Sequence, residues 1–484
     1  MVEINEILLE SSEKLRGHME YEEFQHNILG AIFFKYLSDK IEKENNKKLF
    51  KFKINYQEAF EEENFDFYGK TIKNETLSDL GYFIKPEYLY QNIILEDNFL
   101  KKLNDAIKHI EYQKESLTDL FDSVNFENIH VDEDIKTTFE LILKKINNLQ
   151  FNQKSFEEYN YLMKFFLKKS YTPNEISILL SKLVSIDKTS VKNVYDATCG
   201  SCSTLLFLKE EINVEKYYGQ ELNKNNYNIA RMNMIMHGVN PNNFEIYNED
   251  STTTKRKLPQ IDVVVSHPPF LKKWEAHEEL LKDERFNTYK KLPPKSKADY
   301  AFIETMIYPL SQEGIMAIVM PQGVLFRSNA EKDIRKTLLK EKNYIDAIIG
   351  LPEKTFSKNI PTCILILKKN RKKDDGILFI DASQEFDDSS ILNKLRKDDI
   401  DKIVTTYKNK EEINKYSHFA DINEIKKNDF NLNIKRYVNT YEEKEKINIE
   451  DTIKQINKIE SEIEKLNLQE NELFIKLNLG DKYV

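Results

Sequence analysis

A Pro-Pro-Phe segment has residue types suited to chemistry on an amine. It reads Val265-Ser-His-Pro-Pro-Phe270 and directly follows an apolar, β-rich run, Ile261–Val265. The two prolines stiffen the backbone and lack N–H donors, which leaves carbonyl oxygens available to a substrate amine. Phe270 offers a ring on which a base pulled out of a duplex can stack. The segment therefore indicates a site that acts on a nucleobase.

Three other candidate strand ends carry carboxylates suited to a nucleoside ligand. Asp196 opens a turn that reaches Cys202 and can accept a cationic or amine group, Glu221 ends the next strand, and Asp250 follows the third. An acidic residue in the second position commonly accepts both ribose hydroxyls, and Asp250 is placed to meet an adenine ring. Glu221 and Asp250 are each also explained as a surface group or a helix cap, and many turns like that of Asp196 bind no ligand. Their succession at three strand ends favours the nucleoside site.

The elements that must position these residues alternate between β-rich runs and helical segments. Asn223–Met236 and Ala330–Leu339 have helical periodicity, and they lie between candidate strands. Such alternation predicts an α/β fold with a parallel sheet and helices on both faces, in which ligands bind at the carboxyl ends of the strands. The candidate strands are Val191–Tyr195, Tyr217–Gln220, Phe244–Tyr247, Ile261–Val265, Ile315–Met320, Ile345–Ile349 and Cys363–Leu367.

Helical patterns flank this α/β region on both sides. Apolar residues at helical spacing, from Phe24 to Leu37, indicate a helical N-terminal domain over residues 1–155. The α/β domain then spans 156–440. A tail over 441–484 has two heptad-like rows within Ile449–Leu477, interrupted by Glu470, which predict a coiled-coil-like helix. We expect this tail to dock a partner, although packing against its own domain also explains the pattern.

Composition limits the class of protein. The 484 residues suffice for two or three domains. No apolar run approaches the roughly 20 residues of a membrane span, and the acidic N-terminus does not suit a signal peptide, so we expect a cytoplasmic protein with no membrane partner. Three cysteines argue against a disulfide framework, and no further Cys or His pair completes a zinc site with Cys199 and Cys202, so no metal is expected.

The net charge of −9 hides several basic clusters in the α/β half of the chain. Each cluster alone is explained by a solvated surface. We therefore expect DNA binding to be local and shared with a partner. The clusters are Lys255–Lys257, Lys290–Lys291, Lys295–Lys297 and Lys368–Lys373.

These segments together resemble the modification subunit of type I restriction–modification systems, which are N6-adenine DNA methyltransferases. Pro268–Phe270 resembles their Asn-Pro-Pro-(Phe/Tyr) motif, Asp196–Cys202 their Asp-Pro-x-x-Gly-Ser-Gly loop, and Lys169–Asn174 their (Phe/Tyr)-Thr-Pro segment. Further stretches resemble the type I subunit specifically. They are Ala230–Gly238, Lys295–Phe302 and Pro361–Asn370, and the order and spacing agree over nearly the whole chain.

The resemblance implies a Rossmann-like fold, a cofactor, a reaction and partners. S-adenosylmethionine is the implied cofactor, and double-stranded DNA, from which an adenine is flipped out and methylated at N6, is the implied substrate. The implied catalytic residues are His267, Pro268, Pro269 and Phe270. A specificity subunit, shared by two copies of this chain, reads the DNA site, and a restriction subunit can join. The implied cofactor contacts are Lys169, Ser170, Tyr171, Thr172, Pro173, Asn174, Asp196, Thr198, Cys199, Gly200, Glu221 and Asp250.

The chain departs from the family's motifs at three positions. His267 stands where the family has Asn, Ala197 where it has Pro, and Cys202 where it has the last Gly of the loop. A neutral histidine still offers one acceptor nitrogen, whereas its protonated form offers none. An unperturbed histidine titrates at about pH 6.5, so we expect methyl transfer to increase through that pH. The departures leave two hypotheses, an active methyltransferase and a silent, DNA-clamping subunit. A methyltransferase for RNA or small molecules fits the type I stretches poorly.

Overall fold

Short runs, most of them with β-branched or aromatic residues, form nine strands of one sheet within the described residues. The computed structural model describes residues 21–127, 133–151, 158–159, 172–356, 360–372, 375–387, 392–440 and 449–476. All seven predicted strands lie within the first seven strands of the sheet. The strands are β1 (Ser190–Asp196), β2 (Asn213–Glu221), β3 (Phe244–Asn248), β4 (Ile261–Ser266), β5 (Leu310–Pro321), β6 (Ile345–Gly350), β7 (Thr362–Lys368), β8 (Ile377–Asp381) and β9 (Ser417–Ala420).

The sheet has the order β3-β2-β1-β4-β5-β7-β6-β8-β9, and it is mixed rather than wholly parallel as predicted. The first five strands in this order are parallel, whereas β7 lies antiparallel between β5 and β6, and β9 is antiparallel to β8. A parallel connection requires a crossover of about a dozen residues, usually with a helix. The short segment between β6 and β7 has no helix among its described residues, so β7 returns antiparallel.

Helices follow most of the strands, and the predicted helical segments at Asn223–Met236 and Ala330–Leu339 are confirmed. Single helical turns at Glu62–Asn64 and Tyr90–Ile93 accompany the longer helices. The longer α-helices are α1 (Tyr21–Leu49), α2 (Lys70–Asp79), α3 (Phe99–Glu111), α4 (Glu133–Ile146), α5 (Asn174–Ser185), α6 (Ser203–Glu211), α7 (Lys224–Met236), α8 (Asp299–Ile307), α9 (Ala330–Lys340), α10 (Lys397–Asn409), α11 (Ile422–Lys427) and α12 (Ile449–Lys476).

Both faces of the sheet are covered, because alternate residues of its central strands enter different cores. In β5, Ile315 and Ala317 pack in the same core as α5 and α6, whereas Met316 and Ile318 pack in the core that contains α8 and α9. Side chains that alternate between the two faces are a property of every β-strand. The carboxyl ends of β1 to β4 therefore meet at one edge of a sheet that is packed on both faces.

The N-terminal helices share a hydrophobic core with the sheet. The predicted apolar residues between Phe24 and Leu37 are buried on α1. Tyr36 donates a hydrogen bond to the carbonyl of Ile235 on α7 at 3.2 Å, and Arg231 donates to the carbonyl of Thr118 at 2.8 Å. Contacts accordingly group Met1–Val438 as one unit, and Asn439–Val484 as another. The predicted boundary at residue 155 stays a prediction.

The second unit contains α12, where the sequence predicted a long helix. Its 28 residues correspond to about 42 Å of helix. The heptad residues Ile456, Ile459, Ile463 and Leu466 are between 49% and 62% exposed. Leu477, the last residue of one predicted row, lies outside the described residues. No helix in the described part of the chain is long and apolar enough to cross a membrane.

Candidate active site

The segment after β4 places His267 beside two phenylalanine rings. The ring centroids of His267 and Phe270 are 5.0 Å apart. Phe356, which follows β6, lies 4.5 Å from His267 and 5.6 Å from Phe270, almost perpendicular to the latter ring. No spacing in the sequence links Phe356 to Phe270, so the sequence analysis missed it. We call His267, Phe270 and Phe356 the aromatic cluster.

One ring nitrogen of His267 is paired and the other is available. Nδ1 lies 3.0 Å from Thr172 Oγ1, whereas Nε2 has no hydrogen-bond partner within the described residues. Burial lowers the pKa of His267 to about 4, because apolar surroundings disfavour the charged imidazolium. The expectation of a titration at about pH 6.5 is therefore wrong for this ring. His267 is a neutral group throughout the physiological range.

A hydrogen-bond network around Asp196 holds the turn after β1. Ser266 Oγ donates to Asp196 Oδ1 at 2.6 Å, and the backbone N–H of Thr198 donates to the same oxygen at 2.9 Å. Burial raises the pKa of Asp196 to about 7, although these hydrogen bonds favour the charged form. A neighbouring cation would restore the ionised carboxylate. Asp196 therefore fixes the turn and keeps the capacity to bind an ammonium group.

Cys199 and Cys202, the two cysteines of this turn, are buried and form no disulfide. Cys202 has φ +62° and ψ +13°, a left-handed conformation that favours glycine, the residue that the family has at this position. A residue with a side chain pays about 1–2 kcal/mol for that conformation. Gly200, with φ +54°, is left-handed as well. The turn thus keeps the backbone path of a glycine loop despite the substitution.

Glu221 closes the turn from the end of β2. Its Oε2 accepts the backbone N–H of Gly200 at 3.1 Å, and its Oε1 accepts that of Asn223 at 2.8 Å. Burial raises its pKa, whereas these backbone donors lower it. A Cβ atom on Gly219 would lie 2.8 Å from Cys199 Sγ, so only glycine lets the turn approach β2 this closely. Each carboxylate oxygen keeps a lone pair for a ligand hydroxyl.

Asp250 lies beyond the end of β3 and is linked to the segment after Phe270. Its Oδ1 accepts the backbone N–H of Thr252 at 2.9 Å, and its Oδ2 lies 3.7 Å from Lys272 Nζ. The positive charge of Lys272 also partly offsets the rise that burial causes in the pKa of Glu221, so it acts on both carboxylates. The sequence analysis missed Lys272, because the lysine belongs to none of the motifs that it recognised. A cation therefore faces the predicted nucleoside-binding carboxylates.

The segment that carries Phe270 is anchored to α8. Leu271 has φ +55°, and its backbone N–H donates to Asp299 Oδ1 at 3.1 Å. Asp299 is buried and its second oxygen lies 2.7 Å from Arg327 Nη1. Asp299 belongs to the stretch Lys295–Phe302, for which the sequence alone gave no physical role. The carboxylate fixes the backbone next to Phe270 and hence the direction of its ring.

The structure brings most of the predicted site residues to one edge of the sheet. Pro173 and Asn174 begin α5, Pro268 is buried, and Pro269 is exposed. Lys169, Ser170 and Tyr171 lie outside the described residues. Asn174 Oδ1 is buried and has no hydrogen-bond partner in the part of the chain that is described. An unsatisfied buried acceptor is costly for a protein alone and can be satisfied by a ligand donor.

Taken together, these groups fit S-adenosylmethionine. Asp196, Glu221 and Asp250 lie at the carboxyl ends of three adjacent parallel strands, and Asn174 adds an unpaired acceptor. This is the edge where parallel α/β sheets bind nucleotide-like ligands. The aromatic cluster lies at the end of β4, the next strand in the sheet. The arrangement can therefore hold a nucleoside on one side and a flat base on the other.

Comparisons with known proteins identify the family. Residues 153–446 match the family model for N-6 DNA methylase, and residues 4–146 match the HsdM N-terminal domain. A type I restriction enzyme methylase subunit of Mycoplasma pneumoniae (MpnII) is 33% identical, over 88% of each chain. A similar subunit of Methanocaldococcus jannaschii (MjaVII) is 33% identical over 72% of this chain and 65% of its own length.

A solved structure extends the likeness to the fold. The methyltransferase subunit of the type I restriction–modification system of Streptococcus thermophilus superposes with a TM-score of 0.81. It is 34% identical, and the alignment covers 90% of this chain and 98% of that one. The fold and the family are those of S-adenosylmethionine-dependent methyltransferases. The chain therefore belongs to the modification subunits of type I restriction–modification systems, whose methyltransferase domain acts on N6 of adenine in DNA.

Proposed function

We propose that the chain is an active adenine methyltransferase in which His267 replaces the usual asparagine as the acceptor for the target amine. The supporting observation is the state of its ring. Burial keeps the ring neutral, Thr172 occupies Nδ1, and Nε2 has no partner within the described residues. A neutral imidazole with a bare Nε2 can accept one hydrogen bond from the N6 amine.

The aromatic cluster supplies the surface for the flipped base. An adenine extruded from the duplex loses its stacking partners, and an aromatic side chain replaces them. Phe270 is half-buried and anchored through Asp299, so its ring is held in place. The imidazole of His267 lies 5.0 Å from this ring, which brings the edge of a stacked base within its reach.

Three carboxylates and two backbone segments would hold the cofactor in this proposal. S-adenosylmethionine supplies an activated methyl group. Glu221 accepts hydrogen bonds from its ribose hydroxyls, Asp250 contacts its adenine, and Asp196 pairs with its ammonium group. The turn Thr198–Gly200 and the segment Lys169–Asn174 would supply its remaining contacts. Because the amine and methyl group are held together, transfer becomes effectively intramolecular.

The test is methyl transfer to duplex DNA in a single turnover, with Phe270→Ala compared with Phe270→Tyr. The tyrosine variant keeps a stacking face, so we expect it to retain most of the rate. Loss of one base–aromatic stack is worth about 1–3 kcal/mol, and Phe270→Ala should be slower by about one to two decades. Equal rates for all three proteins would exclude Phe270 as the stacking surface. No transfer by the wild type, with cofactor and DNA bound, would favour the silent, DNA-clamping subunit.

We further propose that DNA, a specificity subunit and a restriction subunit are its partners, with two copies of this chain per specificity subunit, in the cytoplasm. The exposed apolar rows of α12 suit a helical partner, since a coiled-coil seam buries such residues. Removing residues 449–484 should abolish co-purification with the specificity subunit. As a control, Glu462→Gln alters a charged residue of α12 and should not affect assembly. Full assembly of the shortened chain would show that partners bind elsewhere.

A further inference from the structure

The Thr172–His267 contact joins two segments that are far apart in the sequence. Thr172 precedes α5, whereas His267 directly follows β4. Thr172 Oγ1 and His267 Nδ1 are 3.0 Å apart, a normal hydrogen-bond distance. This is the one polar contact of the imidazole among the described residues. Its other close neighbours in the aromatic cluster are apolar rings.

We propose that Thr172 is a positioning residue that holds His267 in the tautomer with its proton on Nδ1. The inference rests on the proposed function, in which Nε2 accepts a hydrogen bond from the target amine. In this tautomer Nδ1–H donates to Thr172 Oγ1, and Nε2 carries a free lone pair. A hydroxyl can donate or accept, so the direction of this hydrogen bond decides which ring nitrogen carries the proton.

The opposite tautomer would oppose the reaction. If the Thr172 hydroxyl donated to Nδ1, the proton of the neutral ring would lie on Nε2. Nε2–H would then face the N–H groups of the adenine amine, donor against donor. The amine would lose its side-chain acceptor, and its lone pair would be less well directed toward the methyl group. The tautomer therefore decides whether His267 assists or hinders methyl transfer to the amine.

The need for such a residue arises from the substitution in this chain. An asparagine amide has its acceptor oxygen and donor nitrogen at covalently fixed positions. A histidine exchanges donor and acceptor when its tautomer changes. A chain that uses histidine at this position therefore requires a second group that selects one form, and Thr172 is the hydrogen-bonding group in contact with the ring.

Nitrogen NMR tests the tautomer without any need for activity. In protein labelled with 15N-histidine, protonated and bare ring nitrogens resonate far apart, and His267→Asn identifies the signals of this ring. We expect a protonated Nδ1 and a bare Nε2 in the wild type and in Thr172→Ser, which keeps a hydroxyl. Thr172→Val removes it at nearly the same volume, so the Nε2–H form should increase. A wild-type ring with its proton on Nε2 would overturn the proposal.

A double-mutant cycle tests the consequence for catalysis. With cofactor and DNA saturating, Thr172→Val should slow the single turnover by about 10- to 100-fold, since a wrong tautomer removes an oriented transition-state contact. Thr172→Ser should keep a rate within about threefold of the wild type. In the His267→Asn background, Thr172→Val should slow the reaction much less than it does in the wild type. An equal loss in both backgrounds would assign Thr172 to cofactor binding or packing instead. If the wild type transfers no methyl group, the proposed function fails, while the NMR result still decides the tautomer.

Discussion

Replacing His267 by asparagine should make the chain faster. Asparagine offers an acceptor oxygen at a fixed position and needs no tautomer partner, whereas His267 depends on Thr172 at 3.0 Å. One oriented hydrogen bond in a transition state is worth about 10²–10³ in rate. We therefore expect His267→Asn to increase the single-turnover rate by about one to three decades. Cofactor affinity should change little, because the residue faces the base.

The same substitution should leave the pH profile unchanged in shape. With a pKa of about 4, His267 is protonated in only about 3% of molecules at pH 5.5, and less above it. Neither protein therefore gains or loses an acceptor between about pH 5.5 and 8.5. The variant also loses ring contacts with Phe270 and Phe356, which are worth about 0.5–1.5 kcal/mol each. We expect a faster but slightly less stable protein.

The assay is single-turnover methylation of a target duplex by each protein, in complex with the specificity subunit, across that pH range. His267→Gln provides a matched control, since it carries the same amide on a longer side chain and should gain less. Equal rates for the wild type and His267→Asn would contradict the predicted gain and would show that the fixed amide is no better an acceptor than the imidazole. A wild-type rate that increased tenfold per pH unit up to about 6.5, and that lost this dependence in the variant, would refute the buried, neutral ring.

Three further predictions follow from other groups. Because Asp196 has a pKa of about 7 and must be ionised to pair with an ammonium group, S-adenosylmethionine should bind more tightly as the pH increases from about 6 to 7.5. Calorimetry should show that Asp196→Asn binds weakly and without this increase. Gly219→Ala should weaken cofactor binding, since its Cβ would press on Cys199; equal affinity would show that the turn adapts. Glu304 is buried without a hydrogen-bond partner among the described residues, and burial raises its pKa, so its ionisation opposes folding as the pH increases beyond the unfolded value. Urea unfolding should show that Glu304→Gln gains more stability near pH 8 than near pH 5. An equal gain at both pH values would show that the ionisation of Glu304 is not the cause.

The sequence predicted those parts of the fold that depend on local pattern. Each strand from β1 to β7 was marked by an apolar run, and α12 by its heptads. The antiparallel course of β7 was not predicted, because direction depends on which strands become neighbours. β8 and β9 were missed as well, and β9 has only four residues. The departure at Cys202 was read from the sequence, whereas its left-handed backbone was seen only in the structure.

The site was predicted to the extent that its residues share a motif. Glu221 and Asp250 follow consecutive strands, so their proximity follows from the parallel sheet. Phe356 and Lys272 were missed because their roles depend on segments that meet in space without any regular spacing. The pKa of His267 was mispredicted for a related reason, since burial is a property of the assembled site. Local sequence patterns identified most of the site residues, whereas the pKa of His267 depends on how the folded chain packs around it.

Detection of one product, N6-methyladenine, tests most directly whether the chain is an active methyltransferase. The full chain, co-expressed with its specificity subunit, is incubated with duplex DNA and isotopically labelled S-adenosylmethionine, and the nucleosides are analysed by mass spectrometry. We predict label in N6-methyladenine, more of it with His267→Asn and much less with Phe270→Ala. Binding of both cofactor and DNA without labelled adenine, in the wild type and in His267→Asn alike, would contradict an active site at His267 and leave a structural subunit.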